Sequence, residues 1–452
     1  MNTETTSRFR QFPAKVLAAL VAVTLVSGCA LLGGGGDDEK KTPTIGNRTS
    51  ILSGESGAEV DPALAGISVI LPTAISNADW AQSGGNAGKS MGHLALGASP
   101  QRVWTANISG TTKRARLAAS PVVSNGRLYA VDTEAMVHAF DAASGAKIWS
   151  TRIDVKGDGK DSLFGGGVSA EGTMVYATNG VGDVVALNAA DGSQLWKVRP
   201  AGPLRGAPTV SNGNVYVMTQ DNQIYALSQT DGSVQWNEAG TLGLAGIFGV
   251  AAPAAAQGTV IAGYSSGELT AYRYENGRNL WSDALARTSI STSVSTLSDI
   301  DADPVIDRGR VFALGQGGRM ASYELVTGQR IWELNIAGIA TPVVSGEWVF
   351  VLTDDAKLLC IARPTGKVRW ISQLAAFRNI EKKKNPVNWT GPVLAGNRLI
   401  VASTEGEVVS ISPGEGSAST MFELNDGVSL PPIVAGGMLY ILDSSGRISA
   451  FR

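Results

Sequence analysis

Short apolar or alternating runs fill most of this chain, and clusters of Gly, Asn, Asp and Ser break them at close intervals. Residues 186–196, Ala-Leu-Asn-Ala-Ala-Asp-Gly-Ser-Gln-Leu-Trp, show the unit. An apolar strand ends at Leu187, residues 188–192 turn, and a second strand leads to Trp196. Gly192 supplies the positive φ that a tight hairpin turn needs. Alternation with period two, bounded by such turns, predicts strands rather than helices.

The hairpin recurs. Glycine followed four residues later by tryptophan occurs at Gly145/Trp149, Gly192/Trp196, Gly232/Trp236, Gly277/Trp281, Gly328/Trp332 and Gly366/Trp370. The steps between successive tryptophans are 47, 40, 45, 51 and 38 residues. Ahead of each hairpin stands a further strand pair, often led by proline and joined by a glycine turn, as in 121–131, 208–217 and 342–351. Units of this length with four short strands are propeller blades. Two further units are degenerate. One runs from Pro392 to Gly416 and has Thr420 in place of tryptophan; the last starts at Pro432, and the chain stops before its fourth strand. A lone strand at 100–104 carries Trp104 and supplies the missing one, which closes the ring without an open edge. The predicted fold is therefore all-β, an eight-bladed β-propeller of four-stranded antiparallel blades over residues 100–452. Trp104, Trp149, Trp196, Trp236, Trp281, Trp332 and Trp370 are expected to dock blade against blade, because regular spacing favours packing over a ligand ladder.

Composition agrees with this pattern: 55 glycines among 452 residues, and 44% hydrophobic residues. A formal net charge of −2 gives no electrostatic footprint for nucleic acid. Two histidines, His93 and His138, and two cysteines, Cys29 and Cys360, leave no His/Cys metal site or disulfide framework. Neither histidine has a partner motif, and Cys360 sits in an apolar strand as a small hydrophobe. Residues 154–161 superficially suggest a calcium loop but lack the spaced ligands and closing glutamate of an EF-hand. No metal and no cofactor are expected. The lysines at 382–384 read as a solvated face.

The first 28 residues read as a signal peptide: Arg8, Arg10 and Lys15 precede an eleven-residue apolar run at 16–26. It ends in Leu25-Val26-Ser27-Gly28-Cys29, which resembles the bacterial lipobox and implies cleavage before Cys29 and its acylation. Ala30 at the next position resembles the signal for outer-membrane rather than inner-membrane retention. Residues 29–65, rich in Gly and charge, are expected to be a lipidated flexible tether. Residues 66–99 are expected to be an N-terminal extension packing on the propeller.

The hairpin as written at 139–149, Ala-Phe-Asp-Ala-Ala-Ser-Gly-Ala-Lys-Ile-Trp, resembles the tryptophan-docking repeat of the pyrroloquinoline-quinone-type propellers. That superfamily holds quinoprotein dehydrogenases and non-enzymatic lipoproteins, so the repeat implies fold and not activity. The lipobox, the eight units and the stretch 80–86, Trp-Ala-Gln-Ser-Gly-Gly-Asn, make the chain similar to the lipoproteins of the outer-membrane β-barrel assembly (BAM) machine. In that family a Leu-x-Leu-Arg-Gly loop and a Ser-Asp-x-Asp segment are implicated in contacting BamA, the central barrel protein. Leu242, Leu244 and Gly246 match the first, with Ala245 in place of arginine; Ser298, Asp299 and Asp301 match the second. The resemblance implies that Leu242, Leu244, Asp299 and Asp301 bind BamA. Read without it, the leucines fit a blade core equally well and the aspartates fit turn formers. Arg205 and Arg287 are the candidate substitutes for the missing cation.

The resemblance further implies a non-catalytic scaffold, anchored through Cys29 to the outer membrane and facing the periplasm. Its partners would be BamA, other subunits of the machine and unfolded outer-membrane proteins, the last by β-augmentation. Two rival functions are a quinoprotein dehydrogenase and a cell-wall-binding propeller. Many such dehydrogenases carry an adjacent-cysteine disulfide, which this chain lacks, and most tryptophans are already assigned to blade packing.

Overall fold

The computed structural model describes residues 58–154, 165–241, 251–285 and 299–452. Cys29, the signal peptide, Leu242, Leu244, Arg287 and all but the first residue of the 154–161 loop lie outside them.

Among the described residues the chain forms eight four-stranded antiparallel sheets and one two-stranded hairpin. Seven sheets are consecutive in sequence: blade 1 (122–152), blade 2 (168–198), blade 3 (204–239), blade 4 (254–284), blade 5 (305–334), blade 6 (343–373) and blade 7 (389–423). Blade 8 takes three strands from 433–451, and its outermost strand is Arg102–Asn107, with Thr105 opposite Ser449 and Ala106 opposite Ile448. The hairpin pairs Phe377–Asn379 with Lys384–Pro386 between blades 6 and 7.

Burial along each blade follows from the ring. Middle strands are covered on both faces by neighbouring blades and read as continuous apolar runs, as in Trp348–Leu352, where every residue is buried. Outer strands face solvent, and in Val234–Ala239 the single buried residue is Trp236.

The tryptophans account for the repeat. Each indole lies on the turn glycine of the next blade: Trp104 on Gly145, Trp149 on Gly192, Trp196 on Gly232, Trp236 on Gly277, Trp281 on Gly328, Trp332 on Gly366 and Trp370 on Gly416. Each indole N–H donates to a carbonyl of that same turn at 2.8–3.1 Å. A Cβ on any of these glycines would fall 2.4–2.8 Å from the ring. The glycine and tryptophan of one hairpin therefore serve different interfaces. This explains why blade 7 keeps Gly416 while lacking a tryptophan: the glycine receives Trp370. At the remaining interface Phe422 stacks on Phe451, with centroids 4.4 Å apart.

The N-terminal segment does not follow the expected boundary at residue 66. It is already docked at Val60, which bridges Val368 in parallel, and Lys367 pairs with Asp61 at 2.7 Å. The chain then passes over blade 6, where Pro72 covers Gly346, and enters the centre of the ring. There it bonds one blade after another. Asn77 accepts from Gly436 N–H, Trp80 exchanges backbone bonds with Val123, and Ala81 accepts from Ala170 N–H. The Gln82 amide copies a strand, accepting from Val210 N–H and donating to Val210 C=O at 2.8 Å each. Ala87 and Gly88 accept from Ala255 and Ile306, and Leu94 bonds Leu394 and Gly396.

Candidate functional site

A four-stranded meander sorts its connections by face. Turns between first and second strands, and between third and fourth, lie on one face of the ring. Second-to-third turns and blade-to-blade connections lie on the other. The N-terminal extension meets the first kind of turn, at Asn125, Gly346, Gly396 and Gly436. It closes the central channel from that face. What remains is a cavity of about 450 Å³, floored by Trp80, Ser83, Lys89 and Leu94 and walled by the starts of inner strands. It is a blind cup on the connection face.

Asp301 and Asp303 belong to its wall. They stand with Asp299 on the segment entering blade 5, where spacing of two along extended chain directs them to one side. Arg205, on the inner strand of blade 3, donates through Nη2 to Asp299 Oδ1 at 2.7 Å and to Asp301 Oδ1 at 3.1 Å. All three side chains are buried. Burial and the neighbouring Asp299 charge push the Asp301 carboxyl up to about 7, against the pull of Arg205. Removing either partner of such a buried pair is costly, because an uncompensated charge remains.

The network extends both ways from this pair. Arg205 Nη1 reaches Asn222 Oδ1 at 3.5 Å, and Asn222 Nδ2 donates to the Thr241 carbonyl at 2.7 Å. Asn222 Oδ1 also accepts from Ser265 Oγ at 2.9 Å. Asp303 accepts from Ala252 N–H at 2.7 Å through Oδ1 and from Ser83 Oγ at 2.6 Å through Oδ2. Lys89 donates to Thr209 Oγ1 at 3.0 Å, and its burial lowers its pKa to about 8. Among the described residues no group of three or more His, Cys, Asp or Glu is placed to hold a metal ion.

Asp299 and Asp301, expected as direct contacts for a partner, are 0% and 7% exposed. Each carboxylate is engaged by an internal ion pair with Arg205. Of the two candidate substitute cations, Arg205 meets the aspartates, and Arg287 lies outside the described residues. Asn222, Asp303, Ser83 and Lys89 were not singled out by their chemistry. The one signal available was the alternation Asp299, Asp301, Asp303, of which only the first two match the family motif.

The histidines are both buried and bonded. His93 takes Asn397 N–H on Nε2 and bonds the Pro72 carbonyl through Nδ1. His138 links Asp132 Oδ2 and Ser150 Oγ, each at 2.9 Å. This has the residue types of a hydrolase triad, yet Asp132 is a turn residue that caps the N–H four positions on. Asn179, Thr219, Thr353, Ser403 and Asp443 do the same in other blades. The trio is a local variant of a repeated blade turn.

Residues 90–161 and 134–372 match the family model of outer membrane protein assembly factor BamB. The chain is 27% identical to the BamB of Yersinia pestis over 358 residues, 78% of this chain and 89% of that one. It is 28% identical to the BamB of Burkholderia pseudomallei, over 78% and 88% of the two chains. The crystal structure of BamB from Moraxella catarrhalis superposes with a TM-score of 0.64 at 19% identity, covering 78% of this chain and 99% of that one. A quinohemoprotein alcohol dehydrogenase from Comamonas testosteroni superposes with a TM-score of 0.66 at 15% identity, over 84% and 81% of the chains. That last likeness is one of fold.

Proposed function

From the premise that this chain belongs to the BamB family of outer membrane protein assembly factors, we propose that it is a non-catalytic lipoprotein subunit of the BAM complex. Acylated Cys29 holds it to the outer membrane on the periplasmic side. It binds BamA and so supports folding and insertion of β-barrel proteins. The contact surface is the connection face, through Leu242 and Leu244, while Asp299 and Asp301 contribute from beneath through Arg205.

One observation supports this choice of face. The Arg205 ion pairs join the segment entering blade 5 to the inner strand of blade 3. Through Asn222, Arg205 also reaches the carbonyl of Thr241, the last described residue ahead of the first motif. On the opposite face, the first-to-second turns at Asn125, Gly346, Gly396 and Gly436 meet the chain's own extension. A charged pair consumed internally makes its contribution by fixing the chain, and the apolar residues supply the contact area.

The test is photo-crosslinking in intact cells from Leu244, with Val326 as control. Val326 is 73% exposed in a third-to-fourth turn, on the face opposite the connections. A BamA adduct from position 244 and none from position 326 is the expected result. Adducts from position 326 alone would assign the partner to the other face and sink this reading.

A further inference from the structure

Inside the cup, the buried polar side chains already have partners. Asp301 is paired with Arg205, Asp303 takes Ala252 N–H and the Ser83 hydroxyl, and Lys89 donates to Thr209. Ser120 Oγ donates to the Pro431 carbonyl at 2.7 Å. The extension has also taken backbone groups of the inner strands, among them those of Val123, Val210 and Leu394. Much of the remaining wall is apolar and includes Ile339, Trp389 and Leu430. Ile339 is 52% exposed, so an aliphatic side chain stands in water at the mouth.

The mouth carries a charge imbalance that the interior lacks. Residues 108–121 run from blade 8 to blade 1 on the connection face. Thr111 N–H donates to the Ser444 carbonyl of blade 8, and Thr133 Oγ1 of blade 1 donates to the Gly110 carbonyl at 2.9 Å. This stretch holds Lys113, Arg114 and Arg116, all exposed, and Arg116 lines the cup. None of the three side chains has a hydrogen-bond or ion-pair partner among the described residues. The hairpin ahead of Trp389 adds exposed Lys382, Lys383 and Lys384, while its Arg378 pairs with Glu405 of blade 7. Against these cations, the connections 108–121, 374–388 and 424–432 hold two acids, Glu381 and Asp426.

We propose that the cup binds a single-chain anionic amphiphile, its alkyl chain against Ile339, Trp389 and Leu430 and its carboxylate or phosphate head on Arg116 at the mouth. This goes beyond the BamA reading and does not rest on it. A cavity of about 450 Å³ is of the size that holds small ligands. Polar groups already bonded within the protein ask no hydrogen bond of an occupant, and burying an alkyl chain against the apolar wall is favourable. The head belongs at the mouth for an electrostatic reason. At the floor the Lys89 charge is countered by Asp303. No acid is bonded to Arg116, and its planar guanidinium matches the oxygens of a carboxylate or phosphate. The neighbouring lysines add attraction at longer range.

The test is calorimetric titration of the mature chain, made with Cys29→Ser so that no acyl group of its own competes. Three ligands share a twelve-carbon chain and differ in the head: laurate, lauroyl-lysophosphatidylglycerol and the uncharged dodecyl maltoside, each kept below its micelle-forming concentration. The two anions are expected to bind one per chain, and the maltoside about tenfold more weakly, the scale of one hydrogen bond to a charged group. Arg116→Glu changes an exposed side chain that has no partner to lose. It should weaken both anions by about tenfold or more and leave the maltoside unchanged. Ala340→Trp fills part of the wall and should abolish binding of all three. Binding of laurate alone would assign the site to a free fatty acid, and binding of the lysolipid alone to a phospholipid. No binding of either anion, equal affinity for all three ligands, or anion binding unchanged in Arg116→Glu would overturn the proposal. Should Ala340→Trp lose its cooperative unfolding transition, the comparison of parent with Arg116→Glu decides alone.

Discussion

At the scale of the residue, the glycine and the tryptophan of the repeat are two halves of different joints. Gly328 shows what the joint demands. Its φ is +70°, and a Cβ there would lie 2.4 Å from Trp281 Cγ. Gly213 has a comparable φ of +76° with nothing within 4 Å of the same added atom. Alanine at Gly213 therefore carries backbone strain alone, about 1 kcal/mol. Alanine at Gly328 adds overpacking against an indole that has nowhere to go, roughly 1–3 kcal/mol more. Urea melts of Gly213→Ala and Gly328→Ala should show the second clearly less stable. Equal losses would mean that the glycine serves the turn only and that the tryptophan contact does not constrain it.

At the scale of the element, the N-terminal extension behaves as a belt whose bonds are made to inner strands of successive blades. Gln82 is its most telling member, because a side-chain amide does what backbone does elsewhere, satisfying both polar groups of Val210. Gln82→Ala leaves that N–H and C=O buried and unpaired, at about 2 kcal/mol or more. Gln82→Glu can keep the acceptor but not the donor, and should fall between alanine and the parent. The check is the midpoint of chemical unfolding, and an alanine variant as stable as the parent would remove the belt's supposed role. The blades themselves were legible in sequence, because a hairpin is decided by residues a few positions apart: the Asn125-Gly126 and Asn212-Gly213 turns, for example, both hold positive φ. Ring closure was legible too, since Trp104 stood alone where a strand was owed. The belt and the buried network were not, because their partners are far apart in the chain. Arg205 meets Asp299 across 94 positions and Ser83 meets Asp303 across 220. No local pattern encodes such a pairing. The motif Trp80 to Asn86 marked the extension as distinctive without revealing that its glutamine imitates a strand.

At the scale of the whole molecule, the buried charges make stability depend on pH in a direction opposite to that of an ordinary salt-bridged carboxylate. Asp301 faces Asp299 and Arg205, with Asp303 two residues further along its own segment and Lys89 among the residues lining the same cup. Its carboxyl titrates at about 7, against 3.8 for the unperturbed group. The folded protein thus holds this proton more tightly than the unfolded chain. The stability it confers is complete below the unfolded value and is lost as pH rises from there through about 7. Lys89, lowered to about 8, titrates mainly above that window. Between about pH 5 and pH 7, the parent should therefore lose stability relative to an Asp301→Asn variant, which carries no titrating group at this position. The difference between parent and variant isolates the site from carboxylates such as Asp183, whose pKa is lowered by Arg199, Asn179 and Lys197 despite its burial. Parallel urea titrations at the two pH values measure it. If parent and Asp301→Asn respond identically, the Asp301 proton is not bound more tightly in the folded ring, and the pair with Arg205 is fully ionised across the range. If the gap widens with pH, one carboxyl in the anchor of the connection face changes charge near neutrality, so the anchor is firmest on the acidic side.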